Sequence, residues 1–239
     1  MKNCYNYKFG ISQKGDGQMK VYPDNADLVL QNRQKFFATL GLDASNMVLA
    51  GLVHGDNIVV VGKENIGQKI ENTDGLITKE PGVILTITVA DCLPVYFFDK
   101  SKKVTGLAHA GWRGVKQNIV SLMLSKIQSE FASDPADVEV NIGPHIRNCH
   151  FEIKDDVAEQ FANYSESIIK EGNSIKLDLS AIVKKQLENA GVRPDNVTIS
   201  DECTYCLNQK YYSFRRDRPE RVEAMVAYAV MGDFLSWPC

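Results

Sequence analysis

The sequence has no excess of charge of one sign and no long apolar run. Its 27 Lys and Arg residues against 30 Asp and Glu give a formal net charge of -3, so it lacks the basic surface of a nucleic-acid-binding protein. No apolar run approaches the length that crosses a bilayer, and residues 1–7 lack the apolar core of a signal peptide. We therefore expect a cytoplasmic protein with neither nucleic acid nor membrane as a partner.

Histidine is scarce, with four residues, whereas there are six cysteines. In a cytosolic chain of this size, cysteines are expected to be thiols or ligands and not a disulfide framework. Cys203 and Cys206 have CxxC spacing, which is compatible with redox chemistry or zinc. Because a CxxC without a second pair does not complete a tetrahedral structural site, we expect these to be buried cysteines at a strand end.

The periodicity of apolar residues predicts one mixed α/β domain over residues 1–239, with 44% hydrophobic residues to form its core. Helices are predicted at 26–40, 115–131 and from Asp178 or Ser180 to Gly191. In the first of these, the predicted inward positions include Leu28 and Leu30. Residues 165–174 are expected to be a solvated loop. Strands are predicted at 47–53, 57–61, 76–78, 83–89, 104–108, 138–142, 197–200 and 222–230.

Three potential metal ligands follow three of these strands. Cys92 comes just after strand 83–89, His109 after strand 104–108 and His54 after strand 47–53. Zinc readily accepts two imidazoles and one thiolate, and three protein ligands leave a fourth position for water or substrate. The sequence thus predicts a catalytic zinc site or, if no metal binds, a reactive Cys–His pair.

Other residues near these motifs are candidates for supporting roles. Asp91 could orient the site or act as a general acid or base, although in a regular strand its side chain points away from Cys92. Trp112 could stack on a flat heterocycle or simply be packed. Arg215 could grip a phosphate bidentately, or it could belong to a solvated loop.

Taken in order, these residues resemble the laccase-domain family, also called the multicopper polyphenol oxidase or peptidoglycan-editing-factor family. The resemblance extends over nearly the whole chain, and the pair ADCLPV and HAGWRG at this spacing is highly specific. The matching segments are His54-Gly55, 74–78, 90–95, 109–114, Gly143-Pro144 with 149–152, Cys203-Thr204 and 213–217.

The resemblance implies a three-layer α/β/α domain with a buried mixed sheet, similar to that of a class of cysteine hydrolases. It also implies zinc ligation by His54, Cys92 and His109. The implied activity is phosphorolysis of adenosine, inosine, guanosine and methylthioadenosine, together with adenosine deaminase activity, so the expected partners are a purine nucleoside and phosphate. The chain departs from the family pattern at Leu52 and in the loop 145–150, and the latter affects the expected substrate preference.

Three alternatives use the same residues differently. In a metal-free cysteine hydrolase, Cys92 would be the nucleophile and His109 its base, acting on an amide bond of peptidoglycan precursors. Copper-dependent phenol oxidation is less favoured, because no methionine lies in the motifs to act as an axial ligand. In a non-enzymatic accessory protein the zinc site would be structural, with Cys149 or His150 as a fourth ligand.

Overall fold

The computed structural model describes residues 6–232, so Cys4 and Cys239 lie outside the described part of the chain. Fourteen strands and six α-helices are assigned within this range. The strands, numbered in chain order, are β1 (Asn6–Ile11), β2 (Met47–Gly51), β3 (Ile58–Val60), β4 (Lys69–Glu71), β5 (Gly75–Thr78), β6 (Ile84–Val89), β7 (Leu93–Asp99), β8 (Val104–Ala110), β9 (Glu139–Ile142), β10 (Glu152–Ile153), β11 (Ile168–Glu171), β12 (Ser174–Leu177), β13 (Val197–Ile199) and β14 (Met225–Gly232). The helices are α1 (Ala26–Thr39), α2 (Trp112–Lys116), α3 (Ile119–Phe131), α4 (Asp155–Glu159), α5 (Leu179–Asn189) and α6 (Phe214–Asp217).

Most strands form two mixed sheets. The first has five strands in the order β1-β14-β6-β2-β4, and the second has six in the order β13-β9-β7-β8-β5-β3. In each sheet, parallel and antiparallel neighbours occur side by side. The strands β10, β12 and β11 form a third, small antiparallel sheet. The chain therefore has the predicted mixed α/β fold, with the buried layer divided between two large sheets.

The two large sheets pack face to face, and helices cover their outer faces. Leu85 of β6 and Leu107 of β8 belong to the apolar cluster between the sheets. Helices α3 and α5 cover the six-stranded sheet through a second cluster, and α1 packs Phe36 and Phe37 on the five-stranded sheet. Because β6 and β7 lie in different sheets, the short segment between them crosses from one sheet to the other at the sheet ends.

Two predicted helices differ from the structure in detail. Helix α1 has the predicted length, but Leu28 and Leu30 are exposed, and the buried positions are Val29, Arg33, Phe36 and Phe37. Nη2 of the Arg33 guanidinium donates there to the Met19 carbonyl oxygen at 2.7 Å. The helix expected over 115–131 is broken, because Asn118 adopts a left-handed conformation with φ 59° between α2 and α3.

The expectation of a solvated loop at 165–174 is wrong. The backbone of this segment forms β11, which pairs with β12 in an antiparallel hairpin. Two of the four residues of β11 are exposed and two are partly buried. The polar composition of such an exposed strand resembles that of a solvated loop. None of the helices within 6–232 is long and apolar enough to span a membrane.

Candidate active site

Cys92 lies in the crossing between the two large sheets. It follows Asp91, which has a φ of 86° and sits in the tight segment from β6 to β7. The left-handed conformation at Asp91 is uncommon for a non-glycine residue and allows the chain to turn sharply. The Asp91 and Cys92 side chains have different partners, as expected, although the two residues lie in a bend and not in the regular strand on which that expectation rested.

His109 lies within β8, opposite Pro94 of β7, and not beyond the end of the strand as predicted. Its side chain is almost fully buried. Its Nδ1 lies 2.8 Å from the Oδ1 atom of Asp74, which is fully buried at the start of β5. This contact directs the other ring nitrogen, Nε2, away from Asp74.

His54 is held by the same aspartate. The loop after β2 donates three consecutive backbone N–H groups to the Asp74 carboxylate, from Val53 at 3.1 Å, His54 at 3.0 Å and Gly55 at 2.9 Å. His54 itself has a φ of 60°. Asp74 thus sets the position of one histidine through the backbone and of the other through its side chain.

The three predicted ligands come together in space. One ligand atom from each of His54, Cys92 and His109 lies within 4.8 Å of the others, and the two imidazole rings meet edge to face with their centroids 4.9 Å apart. A Cβ atom at Gly111 would lie 3.2 Å from Cys92 Sγ and 3.4 Å from His54 Cδ2. Glycine at this position therefore leaves room for an ion among the three ligands. A thiolate and two imidazoles suit zinc.

The electrostatics favour the charged forms of the central residues. Burial by itself would raise the pKa of Cys92, but the charge and hydrogen bonds of His109 and His54 lower it to about 6. Burial by itself would lower the pKa of His109, but the Cys92 thiolate and Asp74 raise it to about 9. Burial opposes ionisation of Asp74 as well, yet the hydrogen bonds from His109 and the loop N–H groups lower its pKa.

Asp91 is the centre of a second hydrogen-bond network. Its carboxylate accepts the Thr204 hydroxyl at 2.6 Å, the Ser213 hydroxyl at 3.0 Å and the backbone N–H of Arg215 at 2.7 Å. Asp91 and its two hydroxyl partners are buried. These contacts join the segment before β7 to two distant segments of the chain, around Thr204 and at the start of α6.

The consecutive arginines of α6 have different surroundings. The Arg215 guanidinium donates to the Glu152 carbonyl oxygen at 2.6 Å and lies 5.5 Å from the centroid of the Phe151 ring. The Arg216 guanidinium donates to the carbonyl oxygens of Thr204 and Tyr205 at 2.9 and 2.8 Å. Of these two arginines, Arg216 is held by hydrogen bonds to backbone carbonyl oxygens, and Arg215 is the one that lines a cleft.

That cleft is a cavity of about 670 Å³. Its wall includes Trp112, which follows Gly111 in the chain, and Arg215. The residues that line it between positions 6 and 232 do not include His54, Cys92 or His109, so the triad is not part of the cavity wall. Trp112 is the link between the cavity and the segment that carries His109. The cavity volume is typical of small-molecule sites.

Cys149 and His150, considered above as a fourth ligand, lie elsewhere. Their ligand atoms group with those of Cys203 and Cys206, separate from the triad. The prediction of two buried strand-end cysteines is wrong for Cys206, which is exposed in a turn. The two CxxC cysteines lie next to Cys149 and His150 in the loop after β9, more than fifty residues earlier in the chain. Local sequence spacing does not reveal such a contact.

The sequence motifs contain the three candidate ligands, but they do not reveal the residues that hold them. Asp74, Thr204 and Ser213 lie in the matching segments 74–78, Cys203-Thr204 and 213–217, where no role was predicted for them. One signal was present for Asp74: it is a carboxylate placed directly before the fully buried strand β5. A buried charge at such a position needs a partner, which here is a ligand histidine.

Known proteins match the chain over most of its length. The sequence profile of the family described as "Multi-copper polyphenol oxidoreductase laccase" matches residues 11–231. Purine nucleoside phosphorylase YlmD of Geobacillus stearothermophilus is 33% identical over 87% of this chain and 85% of its own length. Purine nucleoside phosphorylase YfiH of Escherichia coli is 32% identical over 82% of this chain and 78% of its own length.

Solved structures agree with this relationship. The crystal structure of YlmD from Geobacillus stearothermophilus superposes with a TM-score of 0.85 at 31% identity, over 95% of this chain and 90% of that one. The hypothetical protein YfiH of Bacillus licheniformis gives a TM-score of 0.89 at 26% identity, over 94% of this chain and 92% of that one.

Proposed function

The chain belongs to the multi-copper polyphenol oxidoreductase laccase family, and we propose that it is a zinc-dependent purine nucleoside phosphorylase. Relatives about one-third identical over most of its length carry that enzyme name, which makes it a purine nucleoside-related enzyme. The observation that carries the finer proposal is the convergence of His54, Cys92 and His109. A cavity large enough for a small molecule, lined by Trp112 and Arg215, supports it.

The donor set favours zinc over copper. One thiolate and two imidazoles with room for a further ligand is the composition of a catalytic zinc site. A copper centre of the electron-transfer type adds a weak axial ligand, most often methionine, and the sequence segments that carry the three candidate ligands, 54–55, 90–95 and 109–114, contain no methionine. Bound zinc would supply a Lewis acid next to the substrate.

The surrounding residues define how protons and substrate would be held. Because the pKa of Asp74 is lowered, its carboxylate is ionised, and His109 Nδ1 must carry the proton that Asp74 accepts. His109 Nε2 is then directed into the site as the ligand atom. Trp112 would offer its ring to the flat purine base at the cavity wall, and Arg215 would bind the phosphate that attacks the ribose.

In this proposal, Asp91 is a positioning residue. Its carboxylate accepts the Arg215 N–H and the Ser213 hydroxyl at the start of α6, and the Thr204 hydroxyl from the turn after β13, so it sets where the Arg215 guanidinium enters the cavity. Phosphorolysis of adenosine, inosine, guanosine and methylthioadenosine would then share one phosphate site. Deamination of adenosine, the second proposed activity, would use the metal triad and does not need phosphate.

A second function is favoured by one specific observation. Asp74, His109 and Cys92 are connected in a row, and the pKa of Cys92 is lowered while that of His109 is raised. This is the arrangement of an activated cysteine nucleophile with an oriented base. A metal-free hydrolase acting on amide bonds would use it, but would have no need of His54.

The deciding experiment is product analysis by mass spectrometry. Purified protein is incubated with adenosine in the presence and absence of phosphate, and its zinc content is measured in the same preparation. We expect adenine and ribose 1-phosphate only when phosphate is present, inosine in both cases, and neither activity in Cys92→Ala.

The hydrolase makes the opposite set of predictions. It would give no turnover of adenosine, inosine or guanosine, no metal in the triad, and rapid alkylation of Cys92 by iodoacetamide. His54→Ala separates the two functions further, because it removes a zinc ligand but leaves the Cys92–His109 pair intact. Full activity in His54→Ala would contradict the zinc enzyme.

A further inference from the structure

A second group of metal-binding side chains lies outside the triad. Cys149 and His150 come from the loop after β9, and Cys203 and Cys206 from the turn after β13. Cys149 Sγ lies 3.6 Å from Cys203 Sγ and 3.8 Å from Cys206 Sγ. His150 Nδ1 lies 3.2 Å from Cys149 Sγ and 3.3 Å from Cys206 Sγ.

We infer that Cys149, His150, Cys203 and Cys206 form a second zinc site, structural in character. Zinc bonds to sulfur at about 2.3 Å and to imidazole nitrogen at about 2.0 Å, so a tetrahedral site has edges of about 3.8 Å between sulfurs and about 3.5 Å between sulfur and nitrogen. Four of the six ligand separations are within a few tenths of an ångström of these edges, and all six are within 4.8 Å. Three sulfurs and one nitrogen are a donor set that selects zinc.

The backbone on both sides of the site is braced by contacts that do not involve the ligand atoms. The N–H of Thr204 donates to the His145 carbonyl oxygen at 3.0 Å, joining the turn to the loop. Arg216 donates to the carbonyl oxygens of Thr204 and Tyr205 inside the CxxC. Both ligand segments are therefore oriented by the fold, so little chain entropy remains to be lost when the ion binds.

Two further contacts orient individual ligands. The Arg147 N–H donates to Cys203 Sγ at 3.5 Å, which favours the thiolate form that zinc binds. The His150 ring stacks on Tyr205 with centroids 4.0 Å apart and planes 14° apart. This stacking fixes the ring plane, so that Nδ1 remains directed at the sulfurs.

Four protein ligands complete the tetrahedron, so the site has no open position for substrate. Its role is to hold the wall of the cavity. Cys149 and His150 line that cavity. Two residues further on, the backbone carbonyl oxygen of Glu152 accepts a hydrogen bond from the Arg215 guanidinium. Thr204, between the two CxxC cysteines, donates to Asp91. The ion would thus tie together the two segments that surround Arg215.

A disulfide is the competing use of these thiols. Its sulfurs are bonded at about 2.05 Å, whereas Cys149 Sγ lies 3.6 Å from Cys203 Sγ and 3.8 Å from Cys206 Sγ. Cys149 Sγ is nearly equidistant from the Sγ atoms of Cys203 and Cys206. A disulfide would bring one of these two pairs much closer than the other, whereas a shared metal ion would hold the three sulfurs at similar separations. The inference stands independently of the proposed function, since it uses none of the triad residues.

The test is zinc stoichiometry in the full-length chain lacking the triad thiol. Cys92→Ala is purified under reducing conditions with zinc supplied, and metal is measured by mass spectrometry. We expect one tightly held zinc per chain in Cys92→Ala and less than a tenth of that in Cys92→Ala combined with Cys206→Ser. X-ray absorption of the Cys92→Ala protein should give three sulfurs and one nitrogen around zinc.

Matched variants separate this site from the remaining thiols. Cys4→Ser with Cys239→Ser should leave the one zinc in place. His150→Cys should retain it with four sulfurs, whereas His150→Ala should lower zinc affinity at least tenfold. If Cys206→Ser does not fold, removal of zinc from Cys92→Ala by a strong chelator, with a reversible fall in Tm, tests the same point.

Three results would overturn the inference. The first is a Cys92→Ala protein without zinc and with Cys149 joined to Cys203 or Cys206 in a disulfide, or with all three thiols free. The second is zinc that persists when Cys206 is replaced. The third is zinc whose removal leaves Tm unchanged. Wild-type protein with one zinc and Cys92→Ala with none would support the triad and contradict the second site.

Discussion

Asp74 Oδ1 lies 2.8 Å from His109 Nδ1, and the same carboxylate accepts the backbone N–H groups of residues 53–55. One buried aspartate therefore fixes two of the three candidate metal ligands. Loss of a carboxylate that orients a ligand histidine in this way typically lowers metal affinity or activity 10- to 100-fold.

The first prediction concerns Asp74→Asn. The amide has one acceptor oxygen, so it cannot serve both His109 Nδ1–H and all the loop N–H groups. We expect zinc affinity at the triad to fall by about 10- to 100-fold. The measurement is a titration against a competing chelator in a Cys206→Ser background, where the second site does not contribute. The exposed Asp56, changed to Asn, is the control, and equal affinities in the two variants would contradict the assigned role.

The second prediction uses the space beside Gly111. Its φ of -72° suits any residue, so Gly111→Ala causes no backbone strain. The added Cβ would approach Cys92 Sγ at 3.2 Å and His54 Cδ2 at 3.4 Å, so we expect zinc affinity to fall about tenfold or more with only a small change in Tm. Gly15→Ala is the control, because a Cβ there meets nothing within 4 Å. Unchanged affinity in Gly111→Ala would mean that the ion does not lie among these three residues.

The third prediction concerns Asp91→Asn. The Asn amide has one acceptor oxygen where the carboxylate has two, and it carries no charge, so it cannot accept from the Arg215 N–H, the Ser213 hydroxyl and the Thr204 hydroxyl in the same geometry. Loss of these charge-assisted hydrogen bonds should cost about 1–3 kcal/mol in the free energy of unfolding and displace the start of α6. We therefore expect urea denaturation to show the loss, and the KM for phosphate to rise more than the KM for the nucleoside.

The exposed Asp195, changed to Asn, is the control for Asp91, and Arg215→Met gives the reference for loss of the phosphate contact itself. If Asp91→Asn lowers stability but leaves both KM values unchanged, Asp91 supports the fold only. If the nucleoside KM rises as much as the phosphate KM, the carboxylate does not act through Arg215.

Much of the architecture was predictable because the ends of helices and strands depend on local features of the sequence, such as capping residues and the periodicity of apolar residues. Helix α1 ends within one residue of its predicted end, before Gly41, and α5 begins after its capping residue Asp178. The face that α1 buries was not predictable from hydrophobicity, since Leu28 and Leu30 are exposed while Arg33 is buried. An arginine reaches the interior here because Met19, from another segment, supplies an acceptor.

The amino-acid sequence by itself determined the class of fold, most strand positions and the three candidate ligands, because strand ends, ligand residue types and motif spacing are local properties of the chain. The tertiary structure decided which polar groups meet. Asp74 reaches His109 across 35 residues, Asp91 reaches Thr204 across 113, and Cys149 reaches Cys203 across 54. Such contacts depend on how the two sheets pack and how the chain crosses between them, and no local periodicity encodes that packing.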